Sequence, residues 1–136
     1  EKELPDFKID IKGAYEGILD KELLTSGGIK VYEFDAAMDN GWDIVTNHYA
    51  GVKFLDVVEI MLQDAPYTRL EIQSSKYRAK VFEEVDIDEN MYLVFERDGK
   101  PIRKAGTLTM LNTDYRYAYS IEEVAMLYFV IDNLDK

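Results

Sequence analysis

The chain has 136 residues, 47% of them apolar and 12% aromatic, which is enough for one domain, residues 1–136, whose core needs no disulfide or metal. Sixteen basic residues against twenty-seven acidic ones leave a formal charge of −11, a field that repels phosphate backbones and anionic lipid and excludes nucleic acid as a partner. With no cysteine there is no thiolate nucleophile, no Cys-containing zinc site, no disulfide and no redox pair.

The longest unbroken apolar run, Val124 to Ile131, falls well short of the roughly 20 residues that a bilayer crossing needs, so no transmembrane segment is expected. Glu1 to Asp6 reads as a polar lead-in with no initiator Met, as a trimmed or mature form would have. That leaves an extracytoplasmic and a cytoplasmic location both open.

Phe7 to Ile11 alternates apolar and polar, the period of a half-buried strand, and Gly13 breaks it. Leu19 to Leu24 reads as a short helical patch stopped by Ser26-Gly27-Gly28. Ile29 to Phe34 alternates again, with Ile29, Val31 and Glu33 on one side and Tyr32 and Phe34 on the other. Asp39-Asn40-Gly41 is a strong turn, and Trp42 to Val45 is expected to return as the second strand of a hairpin.

A small-residue turn at Ala50-Gly51 is then expected to open an amphipathic helix that runs to about Leu62. Phe54, Leu55, Val58, Met61 and Leu62 have the spacing of its buried face. Gln63 to Pro66 is a loop, and Arg69 to Gln73 and Ala79 to Phe82 are strands about the polar turn Ser74-Ser75-Lys76. The acidic run from Glu83 to Asn90 is expected to be a turn or one helical turn. Met91 to Phe95 is the most apolar strand and therefore central, Asp98-Gly99 turns the chain, and Leu108 to Leu111 is a further strand. The tail from Ile121 to Leu134 suits a helix or a strand equally.

The order of these pieces resembles the molybdopterin-binding domain of the sulfite oxidase family. The pieces are the strand ending in Gly13, the Leu23-Leu24 helix, the Gly51-Val52 turn with Leu55 and Val58, the Ser74 to Tyr77 loop, Met91 to Phe95, Asp98-Gly99-Lys100-Pro101, and Gly106 to Met110. The resemblance spans roughly Phe7 to Tyr119. It implies an α+β fold, with mixed sheets or a small barrel flanked by two or three helices, and a molybdopterin cofactor. In that family a cysteine before the Gly-Val turn gives molybdenum a thiolate. Counting back from Gly51 with Trp42 as a guide reaches Met38 or Asp39, neither of which supplies one. The family's Asp-Gly before the loop tyrosine is Ser75-Lys76 here, ahead of Tyr77. The resemblance therefore implies a scaffold without its redox reaction. The chain is expected to be a stand-alone, non-catalytic member of that fold that binds a small ligand or a protein partner. The alternatives are a molybdopterin cofactor-binding oxidoreductase component and a purely structural protein-interaction domain that uses a tyrosine patch.

The ligand site is expected between the Met38–Trp42 turn, the His48–Gly51 turn and the Ser74–Tyr77 loop, with Met38, Asp39, Trp42, His48, Tyr49, Ser75 and Tyr77 as its residues. His48, the one histidine, is either a surface or packing residue or a proton-transfer group, which needs a carboxylate beside it. Trp42 is a core plug or a pocket wall. Tyr115, Tyr117 and Tyr119 recur at alternate positions, so in an extended segment they share one face, either covering the core edge or forming a purely structural interaction patch. Asp86 to Asn90 opens like a calcium loop. However, Met91 and Arg97 stand where that loop needs glycine and glutamate, so incidental surface acidity is expected and no metal site.

Overall fold

Alternating apolar and polar residues govern most of this chain, and a computed structural model describes residues 2–39, 41–76, 80–102, 104–114 and 120–132. The described residues form two sheets and two short helices, a mixed α+β arrangement dominated by strands. The first sheet has the order β2-β1-β11-β5-β6, from β1 (Lys8–Gly13), β2 (Gly17–Asp20), β5 (Arg69–Ser74), β6 (Lys80–Glu83) and β11 (Val124–Val130). The second runs β10-β9-β7-β4-β3, from β3 (Val31–Asp39), β4 (Ile44–Lys53), β7 (Met91–Arg97), β9 (Thr109–Asn112) and β10 (Ser120–Ile121), with β8 (Lys100–Pro101) beside β7. The central place of β7 follows from its apolar sequence. The ambiguous tail is a strand, β11, which lies parallel to β1 and antiparallel to β5. Placed between two neighbours, its Val, Leu and Phe side chains are needed on a sheet face rather than a helix stripe.

The inner faces of both sheets meet in one apolar cluster. Ile9, Leu70, Ile72, Leu127 and Phe129 come from the first sheet and Val52, Met91, Leu93 and Met110 from the second, all fully or almost fully buried. Helix α2 (Phe54–Leu62) adds Phe54, Val57, Val58 and Leu62, whereas Leu55 stays 40% exposed. Helix α1 (Lys21–Ser26) adds Leu24 and is capped by the Asp20 carboxylate, which accepts the Leu23 N–H at 2.9 Å. The expected helical patch therefore divides: Leu19 sits in β2, and Asp20 is the cap that turns strand into helix.

The largest departure from the sequence reading concerns Ala50-Gly51. They do not form a turn. Both lie inside β4, ten residues long, and α2 begins at Phe54. Glycine is needed there for close approach: the pairing of β4 with β7 shifts between Ala50 and Gly51, and a side chain on Gly51 would meet the β7 backbone. Accordingly β3 and β4 form a long hairpin, in register from Val31↔Val52 to Asp39↔Ile44.

Candidate functional site

Strand parity sorts the hairpin into two faces. Val31, Glu33, Asp35 and Ala37 share a face with Val52, Ala50, His48 and Thr46, whereas Tyr32, Phe34, Ala36 and Met38 share the other with Gly51, Tyr49, Asn47 and Val45. The second face is the outer side of the six-stranded sheet. It carries its own buried cluster of Ala36, Tyr49, Val94, Ile102 and Leu111, against which Phe34, Met38 and Tyr92 pack. Aromatic rings run across it: Phe34 lies 4.3 Å from Tyr92 and 6.0 Å from Tyr49, centroid to centroid.

Beside this cluster is a cleft of about 290 Å³. Met38, Val45, Tyr49, Ile102 and Leu111 give it apolar walls, and Asn47, Arg97, Thr109, Ser120 and Glu122 supply its polar groups. Thr109 is the buried polar residue among the described residues, and it lines this cleft. Arg97 is exposed and forms no ion pair among the described residues.

Of the residues expected at the site, Met38 and Tyr49 meet in this cleft. Trp42, His48 and Ser75 do not join them there. Asp39 ends β3. Trp42 is neither core plug nor wall of this cleft, being 94% exposed near the hairpin tip. Ser75 belongs to the first sheet's side, where its hydroxyl donates to Glu123 at 3.0 Å. Tyr77, Tyr115, Tyr117 and Tyr119 lie outside the described residues. Sequence reasoning missed Asn47, Arg97, Thr109, Ser120 and Glu122. Asn47 was within reach of parity, since it must share a face with Tyr49 once β4 is taken as a strand.

His48 points to the opposite face, where Asp35 Oδ1 lies 2.8 Å from Nδ1 and Glu33 Oε1 lies 3.1 Å from Nε2. Its backbone is fixed by the turn after β7: His48 N–H donates to the Asp98 carboxylate at 2.9 Å and its carbonyl accepts the Asp98 N–H at 2.6 Å. Nearby on this face Lys2 pairs with Glu96 at 2.9 Å. With carboxylates on both ring nitrogens, the imidazolium is the favoured form, and the hydrogen bond to Asp35, then that to Glu33, raises the His48 pKa above 6.5. A raised folded-state pKa gives stability that is fully present below the unfolded value and is lost as pH rises through the folded value. Proton NMR of the His48 ring is therefore expected to titrate above pH 6.5, and Asp35→Asn to bring the midpoint back down. A midpoint unchanged by that substitution would contradict the geometry. No group of three or more potential metal ligands occurs among the described residues, and no helix among them is long and apolar enough to cross a membrane.

No family model matches this chain, and no curated protein does either. Among solved structures it matches the sulfane dehydrogenase SoxCD from Paracoccus pantotrophus, with a TM-score of 0.62 at 14% identity. The two share a fold. The match covers 96% of this chain but 39% of the other, so this chain spans well under half the length of that relative. The likeness supports the molybdopterin-binding-like fold that the motif order implies.

A molybdenum–pterin does not fit the residues of the cleft. Among the described residues its one sulfur is the Met38 thioether, a neutral ligand too weak to replace thiolate on a high-valent metal. Its one cation among them, Arg97, shares the lining with the anion Glu122, a poor setting for a pterin phosphate.

Proposed function

We propose that this chain is a non-catalytic binding domain on an oxidoreductase fold. Its cleft on the outer face of the six-stranded sheet takes a small ligand with a flat apolar body and an anionic or hydrogen-bonding end. The observation that carries this reading is the make-up of the cleft, in which Met38, Val45, Tyr49, Ile102 and Leu111 form apolar walls around the polar groups of Asn47, Arg97 and Thr109. Apolar walls with a few convergent polar groups are the usual make-up of a small-molecule site. Arg97 and Glu122 set a direction: an anionic end belongs near Arg97 and an uncharged or cationic end near Glu122.

Two measurements test this. Protein made in a host that synthesises the cofactor is expected to carry far less than one molybdenum per chain by elemental analysis; stoichiometric metal overturns the non-catalytic reading. Benzoate, an aromatic carboxylate of suitable size, is expected to shift the amide signals of Tyr49, Arg97 and Thr109 in a saturable way. Arg97→Gln should weaken that binding about tenfold, the usual worth of one charge-assisted hydrogen bond. Unmoved cleft amides across benzoate, phenylacetate and indole would remove the ligand reading.

A further inference from the structure

The second sheet ends in β3, nine residues from Val31 to Asp39 that pair on one side only, with β4. Among the described residues no backbone hydrogen bond other than those to β4 reaches positions 31–39. Half of this strand's amide and carbonyl groups therefore face outward along an open edge. Protein edges of this length are commonly blunted by proline, by a bulge or by a lysine within the strand. β3 has none of these: its pairing with β4 is regular, and Lys30 lies before the strand. Its charges, Glu33, Asp35 and Asp39, are all acidic, so the edge repels an acidic strand and admits a cationic one.

We infer that β3 is a strand-addition site for an extended peptide segment of a partner protein, with lysine or arginine at alternate positions and apolar residues between them. Side-chain parity specifies that pattern. An added strand continues both faces of the sheet, so every second residue lies beside Glu33 and Asp35 and the intervening ones beside Phe34, Ala36 and Met38. The Asp35 side chain is 70% exposed and that of Glu33 41%. Each gives one oxygen to His48, and Lys2 already acts on Glu33, so this stretch draws cations and its exposed carboxylates are within reach of another. Lys30 and Lys53 both lie 4.9 Å from the Tyr32 ring, so the start of the strand repels cations and the Glu33–Asp35 stretch receives them. At the far end the hairpin presents Trp42, Ile44 and Val45, which are 94%, 57% and 38% exposed. Exposed tryptophan beside an open edge is the kind of anchor that carries binding energy at interfaces.

The same charges argue against a second copy as the occupant. Two β3 edges paired with each other would gather both copies' Glu33 and Asp35 on one face, and like charges across strands destabilise the pair. The overall charge of −11 adds to that repulsion.

The test uses the intact chain and a nine-residue peptide of alternating lysine and valine, capped at both ends, followed by amide chemical shifts. Saturable shifts are expected at positions 31–39. A scrambled peptide of the same composition should bind about tenfold more weakly, and a glutamate-for-lysine peptide not detectably. N-methylation supplies the deciding arm without altering the protein. Methyl groups on one alternate set of peptide amides should abolish binding, and on the other set leave it nearly intact, because only one set faces β3. Equal binding by the scrambled peptide, or by both N-methylated peptides, reduces the contact to charge attraction and overturns the proposal. Self-association in sedimentation that perturbs amides 31–39 without peptide assigns the edge to a second copy and overturns it equally. Benzoate binding in the cleft is independent of each of these outcomes.

Discussion

Phe129→Ala is expected to destabilise the fold by about 4 kcal/mol, at the upper end of what removing a buried ring costs. The side chain is fully buried in β11, with Gly13 of β1 and Leu70 of β5 as its backbone partners on either side. Tyr67 and Tyr15 meet its ring edge-on at 5.2 Å and 6.0 Å. Alanine loses the burial of the ring, leaves a cavity that three strands hold open, and ends two aromatic pairs worth roughly 0.5–1.5 kcal/mol each. Domains of this size are stable by only about 5–15 kcal/mol, so the variant approaches the margin of folding at 37 °C. Phe129→Leu keeps most of the volume and should lose about half as much. Urea unfolding at 25 °C checks both. A loss for alanine below about 1.5 kcal/mol would mean that the first sheet can close over the gap, which the pairing on both sides of β11 argues against.

The same strand shows what was legible from the sequence and what was not. Its composition marked Val124 to Val130 as buried, but periodicity alone does not separate a short buried strand from a buried helix. The decision came from β1 and β5, fifty or more residues away in sequence, which leave a strand-wide gap between them. The hairpin was legible at its turn and misread at its far end. Taking Ala50-Gly51 as a turn hid the parity of β4, and with it the fact that His48 and Tyr49 face opposite ways. The expected site therefore mixed two faces of one sheet. Glu33, Asp35 and His48 could be grouped only once the register was known, because nothing in the sequence fixes Asp35 opposite His48. Thr109 carried a faint mark, a hydroxyl inside the apolar run Leu108 to Leu111. Its place in a cleft depends on β9 lying next to β7.

Gly51→Ala is the second substitution with a large expected effect, about 3 kcal/mol of destabilisation. A Cβ there would stand 2.4 Å from the Leu93 carbonyl oxygen, 2.7 Å from Val94 Cα and 2.8 Å from Val94 Cγ1. Two of these are backbone atoms of a central strand and do not rotate away. Relief requires β4 and β7 to separate at the register shift, where Ala50 pairs with Glu96 and Gly51 with Val94. Gly17→Ala is the matched control: nothing lies within 4 Å of its added Cβ, so it should be neutral or gain up to about 1 kcal/mol from a stiffer unfolded chain. The difference between the two isolates the close approach from any general cost of alanine in a strand. It also reaches the cleft, because Val94 and Tyr49 belong to the same buried outer cluster and Tyr49 lines the cleft wall. Benzoate binding by Gly51→Ala should therefore fall further than the loss of folded protein explains, whereas Gly17→Ala should bind as the parent does. Equal stability of the two variants would show that β4 and β7 can part at Gly51 without loss, and the strand would then be a hinge beside the cleft rather than its fixed wall.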